Sequence, residues 1–362
     1  MKIFHVITTI ERGGAENQLT ILAEEQIRKG HRVTVIPLKG SCDLLSRFQK
    51  MGADVNITLL NKNLIVKIIY FIQLKLFSKP DLVHAHLPEA ELISAATKFR
   101  IPLVVSRHNA EQFAPRYPRF ISLFLSRFVD LKADSVISIS IAVADYLKSH
   151  KEVRRTRIIN VVHYGYDPNF NTSILNRNDK KNDEILRIIT IGRLVEQKDY
   201  PTLLYAIKHC VDKGINLRVI IIGDGILRKK LLELCDDLDL DNFVTFLGKK
   251  EDIFSLLIRN DIFILSSQYE GFGLVLLEAL QAKIPILASN NSAIPEVLGE
   301  NYSGLFETSN HDQLSQLILR AKDGKFREIL RFELSSRLDF FKPEDMSNRI
   351  LNIYSSLLKK AS

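Results

Sequence analysis

Short apolar segments rich in β-branched residues alternate with longer helical patterns along the whole chain. In the first half these segments lie at residues 2–7, 32–37, 82–84, 103–106 and 135–138. In the second half they lie at residues 186–191, 217–222, 243–246, 262–266 and 285–288. Near-continuous apolar strands that alternate with helices indicate parallel sheets that are buried on both faces. The two series therefore predict an α/β protein with two doubly wound, Rossmann-like domains.

The boundary between the two series is a polar segment. Residues 168–185 are rich in Asn, Asp and Lys and have no hydrophobic periodicity, as expected of a linker. We therefore predict an N-terminal domain at 1–167, a C-terminal domain at 186–342 and a last helix at 343–362 that can pack back on the N-terminal domain. Ligands of open α/β sheets bind outside the carboxyl ends of the strands, so we expect the two domains to face each other across a ligand-binding cleft.

Composition narrows the class of protein. The 362 residues are 46% hydrophobic and 25% charged, which is typical of globular domains and excludes disorder. No apolar run is long enough to span a bilayer, and the first residues lack the pattern of a signal peptide. The three cysteines are scattered, as in proteins of reducing compartments. We therefore expect a soluble cytoplasmic protein.

The positive charge of the chain belongs to its first half. Residues 1–168 carry 24 Lys and Arg against 15 Asp and Glu, whereas the remainder carries 26 against 27. Such an excess favours an anionic partner, namely nucleic acid, a membrane surface or a phosphorylated ligand, although a solvated surface without a partner is an equal alternative. The stacking aromatic residues of nucleic-acid-binding modules are not evident, so we expect no nucleic-acid partner.

The most specific motif follows the segment at 262–266. Glu270 and Glu278 are eight residues apart, and glycines just after Glu270 let backbone amides approach a ligand. A helix is predicted from Leu274, and its N-terminus offers unpaired N–H groups that suit a phosphate. The two carboxylates can accept hydrogen bonds from the hydroxyls of a polyol.

A pair of cations follows the first strand of the second half. Arg193 comes directly after Gly192, and Lys198 lies five residues after Arg193. A guanidinium fork and an ammonium point charge can neutralise a diphosphate from two directions.

Together these motifs resemble the retaining glycosyltransferases of the two-domain glycosyltransferase-B (GT-B) fold, the group 1, family 4-like class with a Glu-x7-Glu motif. The resemblance extends over nearly the whole chain and includes the segments 11–16, 83–86, 223–225, 246–248 and 295–297. It implies that Arg193 and Lys198 hold the diphosphate of a nucleotide sugar. Glu278 would then bind the ribose hydroxyls, and Glu270 the hydroxyls of the transferred sugar.

The resemblance also implies further contacts with the donor. These are Gly14 near the phosphate, Phe246 and Leu247 beside the base, and the backbone at Gly271, Phe272, Gly273 and Leu274. His108 matches a histidine that the family directs at the donor sugar, which makes His108 and Glu270 the catalytic candidates. Candidates on the acceptor side are Arg107, His84 and His86, with simple packing as the alternative for the two histidines. The histidines lack the further ligands of a metal site, so we expect no metal.

The implied reaction moves a hexose or N-acetylhexosamine from a UDP-linked sugar to a lipid-linked or oligosaccharide acceptor, with retention of configuration. Because protein cations stabilise the departing diphosphate, we expect neither a metal nor a cofactor. Bacterial surface polysaccharide, lipopolysaccharide and glycoprotein glycan assembly all use this chemistry. The alternatives are a nucleotide-sugar 2-epimerase on the same fold and a non-enzymatic anion-binding protein.

Two basic and apolar segments bear on the acceptor. Residues 62–79 and 113–127 mix large apolar side chains with Lys or Arg. Such helices can lie on anionic lipid with their basic side chains snorkelling towards water, or can be ordinary buried helices. We expect the N-terminal domain to associate peripherally with the cytoplasmic face of the inner membrane.

Overall fold

The computed structural model describes residues 1–154, 156–170 and 185–361, and the chain forms two compact units. Unit 1 comprises Met1–Asp167 together with Phe341–Ser362, and unit 2 comprises Pro168–Phe340. Most of the predicted linker at 168–185 lies outside the described residues.

Unit 1 is one parallel sheet covered by helices. Its elements are β1 (Lys2–Ile7), α1 (Gly14–Arg28), β2 (Arg32–Pro37), α2 (Leu45–Lys50), β3 (Asp54–Val55), α3 (Leu64–Ser78), β4 (Leu82–His86), α4 (Pro88–Ala96), β5 (Leu103–Arg107), α5 (Arg119–Lys132), β6 (Ser135–Ser138), α6 (Ile141–Ser149) and β7 (Ile159–Val161). The strand order is β3-β2-β1-β4-β5-β6-β7. The five longer strands consist almost wholly of buried residues, as the apolar runs predicted.

Unit 2 has the same plan. Its elements are β8 (Leu186–Ile191), α7 (Tyr200–Asp212), β9 (Leu217–Ile222), α8 (Arg228–Asp237), β10 (Val244–Gly248), α9 (Ile253–Ile258), β11 (Ile262–Leu265), α10 (Leu274–Gln281), β12 (Ile286–Ser289), α11 (Ile294–Leu298), β13 (Leu305–Phe306), α12 (His311–Ala321) and α13 (Gly324–Leu334). A 3₁₀ turn, Glu196–Lys198, precedes α7, and a second one, Arg337–Phe341, leads into the last helix, α14 (Pro343–Ala361). The strand order is β10-β9-β8-β11-β12-β13.

The prediction of two doubly wound sheets is confirmed. The sequence pattern missed β3, β7 and β13, which are two or three residues long and lie at sheet edges. Strands this short carry no periodicity of their own and form because a neighbouring strand offers hydrogen-bonding groups.

The strand order of each sheet reverses once. In unit 1 the chain builds outward from β1 to one side and then returns to place β4 on the other side; in unit 2 the same reversal separates β8 from β11. The loops that follow these paired strands run in opposite directions and leave a crevice at the carboxyl edge, where ligands of this fold class bind.

The last helix, α14, packs against α1 and belongs to unit 1. Its Tyr354 is fully buried, and the Sδ atom of its Met346 accepts a hydrogen bond from the backbone N–H of Gly165. The chain thus returns to the first unit after it has completed the second.

Helix α3 has its lysines turned inward. Lys67 and Lys75 are buried, with Lys67 Nζ 2.6 Å from Glu89 Oε1 and Lys75 Nζ donating to the backbone carbonyl of Thr97. Burial lowers the pKa of Lys75 to about 8. The exposed side of the helix is apolar and carries Leu64, Ile65, Ile69, Tyr70, Ile72, Leu76 and Phe77. Of the two alternatives that the sequence leaves open, snorkelling does not describe Lys67 and Lys75, because each finds an acceptor on the neighbouring part of unit 1.

No helix among the described residues combines the length and the apolar character needed to cross a bilayer.

Unit 2 contains a glycine that its backbone packing requires. Gly223 follows β9 with φ of 136°, and a Cβ atom there would lie 1.9 Å from the carbonyl oxygen of Gly192. Since backbone atoms cannot yield as a side chain can, the Gly223→Ala variant should lose at least about 2 kcal/mol of unfolding free energy.

Urea unfolding monitored by circular dichroism measures this loss. The matched control is Gly324→Ala at the start of α13, where a Cβ would make only an ordinary contact 3.6 Å from Arg327 Nη2. We expect that control to stay within about 1 kcal/mol of the natural protein. Equal stability of the two variants would contradict the packing described for Gly223.

Candidate active site

In unit 2 the loops after β8 and β11 are held together by hydrogen bonds. The backbone N–H of Gln268 donates to the carbonyl of Gln197 at 2.8 Å, and Gln197 Nε2 donates to the carbonyl of Tyr269 at 2.9 Å. Ser266 Oγ donates to the carbonyl of Lys198 at 3.0 Å. These contacts fix the relative position of the two loops at the point where the strand order reverses.

The centre of this site is an ion pair between two of the predicted residues. Lys198 Nζ lies 2.5 Å from Glu270 Oε1, and both side chains are largely buried. Ser267 Oγ donates to the same carboxylate oxygen at 2.7 Å, and the Glu270 backbone N–H donates to Ser292 Oγ at 2.7 Å. Because Glu270 is held at both its side chain and its backbone, its carboxylate has a defined position beside the ammonium group.

Arg193 adds an exposed cation at the end of β8. Its Nη2 lies 3.5 Å from Gln197 Oε1, and its side chain is open to solvent. After the 3₁₀ turn, Asp199 adopts φ of 44° and caps α7 through its carboxylate, which accepts from the Thr202 backbone N–H at 3.4 Å and from Thr202 Oγ1 at 2.9 Å. The sharp turn at Asp199 keeps Lys198 on the strand-end side of the sheet.

Helix α10 begins beside the ion pair. Gly273 has φ of 83° and forms the N-cap of the helix, a conformation that suits glycine. Phe272 is buried beneath the turn, and Glu278 is half-buried one turn into the helix. The helix therefore begins at Leu274, four residues after Glu270, as predicted.

Phe246 and Leu247, the predicted neighbours of the base, lie at the end of the edge strand β10. The register of β10 against β9 shifts between Phe246 and Gly248, and both predicted residues are half-buried. The Arg228 guanidinium lies 6.0 Å from the centre of the Phe246 ring. Their contact with a base stays a prediction.

In unit 1 the strand-order reversal brings histidines together. His5 on β1 is the register partner of His84 on β4, and the ring centres of His84 and His86 are 4.1 Å apart. Sequence reasoning missed His5, although it lies in the first predicted strand, because nothing in the local pattern indicates which strand pairs with β1. The ring nitrogens of these three histidines lie within 4.8 Å of one another, close enough to share a metal ion.

Hydrogen bonds already occupy these nitrogens. His5 Nδ1 lies 3.0 Å from His86 Nε2, and His84 bonds to both Tyr354 Oη at 2.5 Å and Ser106 Oγ at 2.7 Å. Each ring nitrogen of the three histidines therefore has a hydrogen-bond partner within the protein. Our expectation of no metal stays a prediction.

The predicted acceptor contacts of His84 and His86 are corrected by their burial. Both side chains lie inside unit 1, with 0% and 3% of their surface exposed, because they belong to strand β4 and not to the loop after it. The two histidines pack inside unit 1, which is the alternative that the sequence left open.

Arg107 is also corrected. The sequence predicted that Arg107 contacts the acceptor, but Arg107 is the last residue of β5 and is buried between two carboxylates. Its Nε lies 2.9 Å from Glu91 and its Nη1 lies 3.3 Å from Glu152, with the Phe113 ring centre 4.4 Å from the guanidinium. Burial raises the pKa of Glu91 to about 7. A buried arginine that balances two acids is a structural residue, since its removal would leave buried charges unpaired.

His108 and Gly14 lie at the carboxyl edge of the unit 1 sheet. His108 is partly buried, and its two ring nitrogens contact His86 Nδ1 at 3.2 Å and the hydroxyl of Tyr164. Gly14 is the exposed first residue of α1. Between these positions, Leu87 adopts φ of 71° and ψ of 152°, a rare conformation for a residue with a side chain. Contact of His108 and Gly14 with a donor stays a prediction.

Comparison with known proteins places both units in one class. Residues 12–170 match the family described as Glycosyltransferase Family 4, and residues 172–336 match Glycosyl transferases group 1. A relative from Campylobacter jejuni, named GalNAc-alpha-(1->4)-GalNAc-alpha-(1->3)-diNAcBac-PP-undecaprenol alpha-1,4-N-acetyl-D-galactosaminyltransferase, is 29% identical over 91% of each chain.

Solved structures share the fold. The Anabaena protein Alr3699/HepE in complex with UDP-glucose has a TM-score of 0.82 at 22% identity and covers 98% of this chain and 100% of its own. The lipopolysaccharide outer core galactosyltransferase WaaB has a TM-score of 0.74 at 16% identity, with the same coverage. The two-domain GT-B fold expected from the sequence is thereby confirmed.

The buried histidines make the stability of unit 1 sensitive to acid. Burial lowers the pKa of His5 to about 4 and of His108 to about 3, and it lowers the pKa of His84 and His86 well below the usual value. The unfolded chain binds protons at these rings below about pH 6.5, whereas the folded chain does not, so the free energy of unfolding falls as the pH decreases. Each proton taken up contributes a slope of about 1.4 kcal/mol per pH unit.

We therefore expect His84→Gln to reduce this slope by close to one proton between pH 6 and pH 5, measured by urea unfolding. The control His311→Gln removes an exposed ring and should leave the slope unchanged. A slope that is the same in both variants would contradict the neutral state of the cluster.

Proposed function

The chain belongs to the group 1 glycosyltransferases of the GT-B fold, and from this premise we propose that it transfers a hexose or N-acetylhexosamine from a UDP-linked sugar to a lipid-linked glycan or oligosaccharide. The single observation that carries the proposal is the meeting of Lys198, Glu270 and the start of α10 at the strand-order reversal of unit 2.

The charges of this site suit a nucleoside diphosphate. Arg193 offers an exposed guanidinium, Lys198 an ammonium, and α10 the positive end of its helix dipole. When the bond between sugar and phosphate breaks, these groups stabilise the charge that develops on the leaving diphosphate. The protein supplies positive charge in this way, and we propose that the reaction needs no metal ion.

The carboxylates suit hydroxyl groups. Glu270 is held rigidly by Lys198 and Ser267, so it can orient a sugar whose hydroxyls donate to its free lone pairs. We propose that Glu278, one turn into α10, accepts hydrogen bonds from the ribose hydroxyls. We propose retention of configuration through a front-face path with oxocarbenium character, in which the departing phosphate takes the proton of the acceptor hydroxyl. Glu270 then acts by positioning the sugar.

The proposed acceptor is lipid-linked, in bacterial surface polysaccharide, lipopolysaccharide or glycoprotein glycan assembly. The Campylobacter jejuni relative carries an undecaprenol-linked glycan in its name, and WaaB is named for lipopolysaccharide. Such an acceptor resides in a membrane, so the enzyme must approach the bilayer surface.

Unit 1 offers an apolar surface for this approach. Helices α3 and α5 both contact α4 and therefore lie in one layer of the unit. The exposed face of α3 is apolar, and α5 exposes Phe120 and Phe124 beside Arg119 and Arg127. Large exposed apolar side chains flanked by arginine are the features of helices that rest on anionic lipid. We propose peripheral binding at the cytoplasmic face of the inner membrane.

A donor screen tests the function. UDP- and GDP-linked sugars are incubated with the enzyme and a bacterial lipid extract in buffer with EDTA, and nucleotide release and product mass are measured. We expect release of UDP and a glycolipid product that needs both substrates. An isomerised sugar in the absence of lipid would instead identify an epimerase, and dependence on added divalent metal would overturn the proposed metal independence.

The same assay tests the site. Lys198→Ala removes a charge aimed at the leaving group and should lower kcat/KM about 100-fold or more. The matched control is Lys208→Ala on α7, where Lys208 Nζ pairs with Asp212 at 3.0 Å on the surface. We expect that control to keep nearly full activity; equal losses in the two variants would contradict the role of Lys198.

Flotation with vesicles of phosphatidylglycerol tests the membrane surface. In Ile65→Ser combined with Phe77→Ser, two side chains that are 71% and 86% exposed lose their apolar character. Burial of two such groups in lipid is worth about 3 kcal/mol, so binding should fall at least tenfold. The control pair, Ile329→Ser with Phe332→Ser on α13 of unit 2, is 51% and 80% exposed and should bind as the natural protein does. Loss in the control alone, or in neither pair, would contradict the assignment.

A further inference from the structure

A chain of hydrogen bonds runs through the histidine cluster to His108. Its successive members are Gln26, His5, His86, His108 and Tyr164. Gln26 Oε1 lies 2.8 Å from His5 Nε2, His5 Nδ1 lies 3.0 Å from His86 Nε2, and His86 Nδ1 lies 3.2 Å from His108 Nε2. His108 Nδ1 contacts the Tyr164 hydroxyl. Both ring nitrogens of each histidine in the chain are thereby used.

All hydrogen bonds in this series run from donor to acceptor in the same direction. A neutral imidazole carries one N–H donor and one acceptor nitrogen, so each ring that donates on one side must accept on the other. At the Gln26 end the bonding atom is an amide oxygen, which can only accept. His5 must therefore donate from Nε2 and accept at Nδ1, and the same assignment passes to His86 and then to His108.

This rule fixes the tautomer of His108. Its Nε2 carries the proton and donates to His86, while its Nδ1 accepts from the Tyr164 hydroxyl. The neutrality on which the rule depends agrees with the burial of the rings. Tyr164 does not decide the direction, because a hydroxyl both donates and accepts.

His108 is the point at which the chain meets solvent. Gln26, His5, His86 and Tyr164 are buried, whereas His108 is only partly buried at the carboxyl edge of the sheet. A ligand that reaches this edge therefore meets the His108 ring, and the position of the proton on that ring is set by residues inside the unit.

We propose that Gln26 is a positioning residue that acts through His5 and His86 to keep His108 in its Nε2–H tautomer, so that His108 meets a ligand as a donor towards oxygen. The ligand oxygen belongs to the sugar or the diphosphate of the donor, and in this respect the proposal rests on the proposed function. On binding, the Nε2–H bond passes from His86 to the ligand oxygen while Tyr164 retains Nδ1. The proton stays on His108 throughout, and no covalent bond changes.

The deciding variant is Gln26→Leu, which removes the accepting oxygen with little change of volume. If the original direction persisted, His5 would bury an N–H group without a partner. If every hydrogen bond reverses its direction, His5 Nε2 becomes an unpaired acceptor, and His108 donates from Nδ1 to the Tyr164 oxygen. Because an unpaired buried donor is the less tolerated of the two, we expect His108 to change to its Nδ1–H tautomer.

Long-range ¹H–¹⁵N correlation spectra of the histidine rings measure the tautomer directly, with His108 assigned from a His108→Gln sample. We expect Nε2–H in the natural protein and Nδ1–H in Gln26→Leu. The matched control is Gln18→Leu, since Gln18 is also a buried glutamine of α1 but donates to the carbonyl of Gly165 outside the chain. This control should keep Nε2–H.

A second variant separates the two ends of the chain. Tyr164→Phe removes the hydroxyl but leaves the Gln26 oxygen in place, so His108 should keep Nε2–H. A change of tautomer in Tyr164→Phe together with none in Gln26→Leu would overturn the proposal, as would Nδ1–H in the natural protein.

Kinetics then test the contact with the donor. A lost hydrogen bond to the nucleotide sugar should lower kcat/KM about tenfold in Gln26→Leu and leave Gln18→Leu unchanged. A changed tautomer with unchanged kcat/KM would overturn the donor contact. Spectra that agree with the assignment in a protein without transferase activity would instead refute the proposed function and leave the chain of hydrogen bonds intact.

Discussion

The reversal of strand order in each parallel sheet is the constraint on which the candidate sites depend. Lys198 and Glu270 are 72 residues apart in the chain, and they meet because β8 and β11 are neighbours in the sheet. The same rule applied to β1 and β4 brings His5 beside His84 and His86. In both units, therefore, the polar side chains that converge come from segments on either side of the reversal, where the following loops diverge and leave room for a ligand.

Unit 1 distributes its charges in an unusual way. Several basic groups are buried against acceptors, with Arg107 between Glu91 and Glu152 and Lys67 against Glu89. The histidine rings inside the unit are neutral, which avoids the cost of burying further cations. Large apolar side chains cover the exposed face of α3 instead. Exposing such an apolar surface to water costs free energy, so the surface favours contact with a lipid bilayer or with a protein partner that covers it.

The sequence predicted those features that are local. Apolar runs identified the longer strands, and the residues after β8 and β11 identified the cations and carboxylates of unit 2, because a strand end and its loop are contiguous in the chain. The prediction failed where the partner is distant. Arg107, a predicted acceptor contact, is instead buried against Glu152, a partner 45 residues away that follows a different strand and helix. The inward orientation of Lys67 depends in the same way on Glu89 of α4.

The binding of a diphosphate by unit 2 is the central claim, and calorimetric titration with UDP and with uridine tests it most directly. Each charge-assisted hydrogen bond to the phosphates contributes about 1.5–3 kcal/mol, so UDP should bind at least about 100-fold more tightly than uridine. In a protein with both Arg193→Ala and Lys198→Ala, this ratio should fall below about tenfold while uridine binds as before. Equal affinities for UDP and uridine in the natural protein, or an unchanged ratio in the double variant, would contradict the claim.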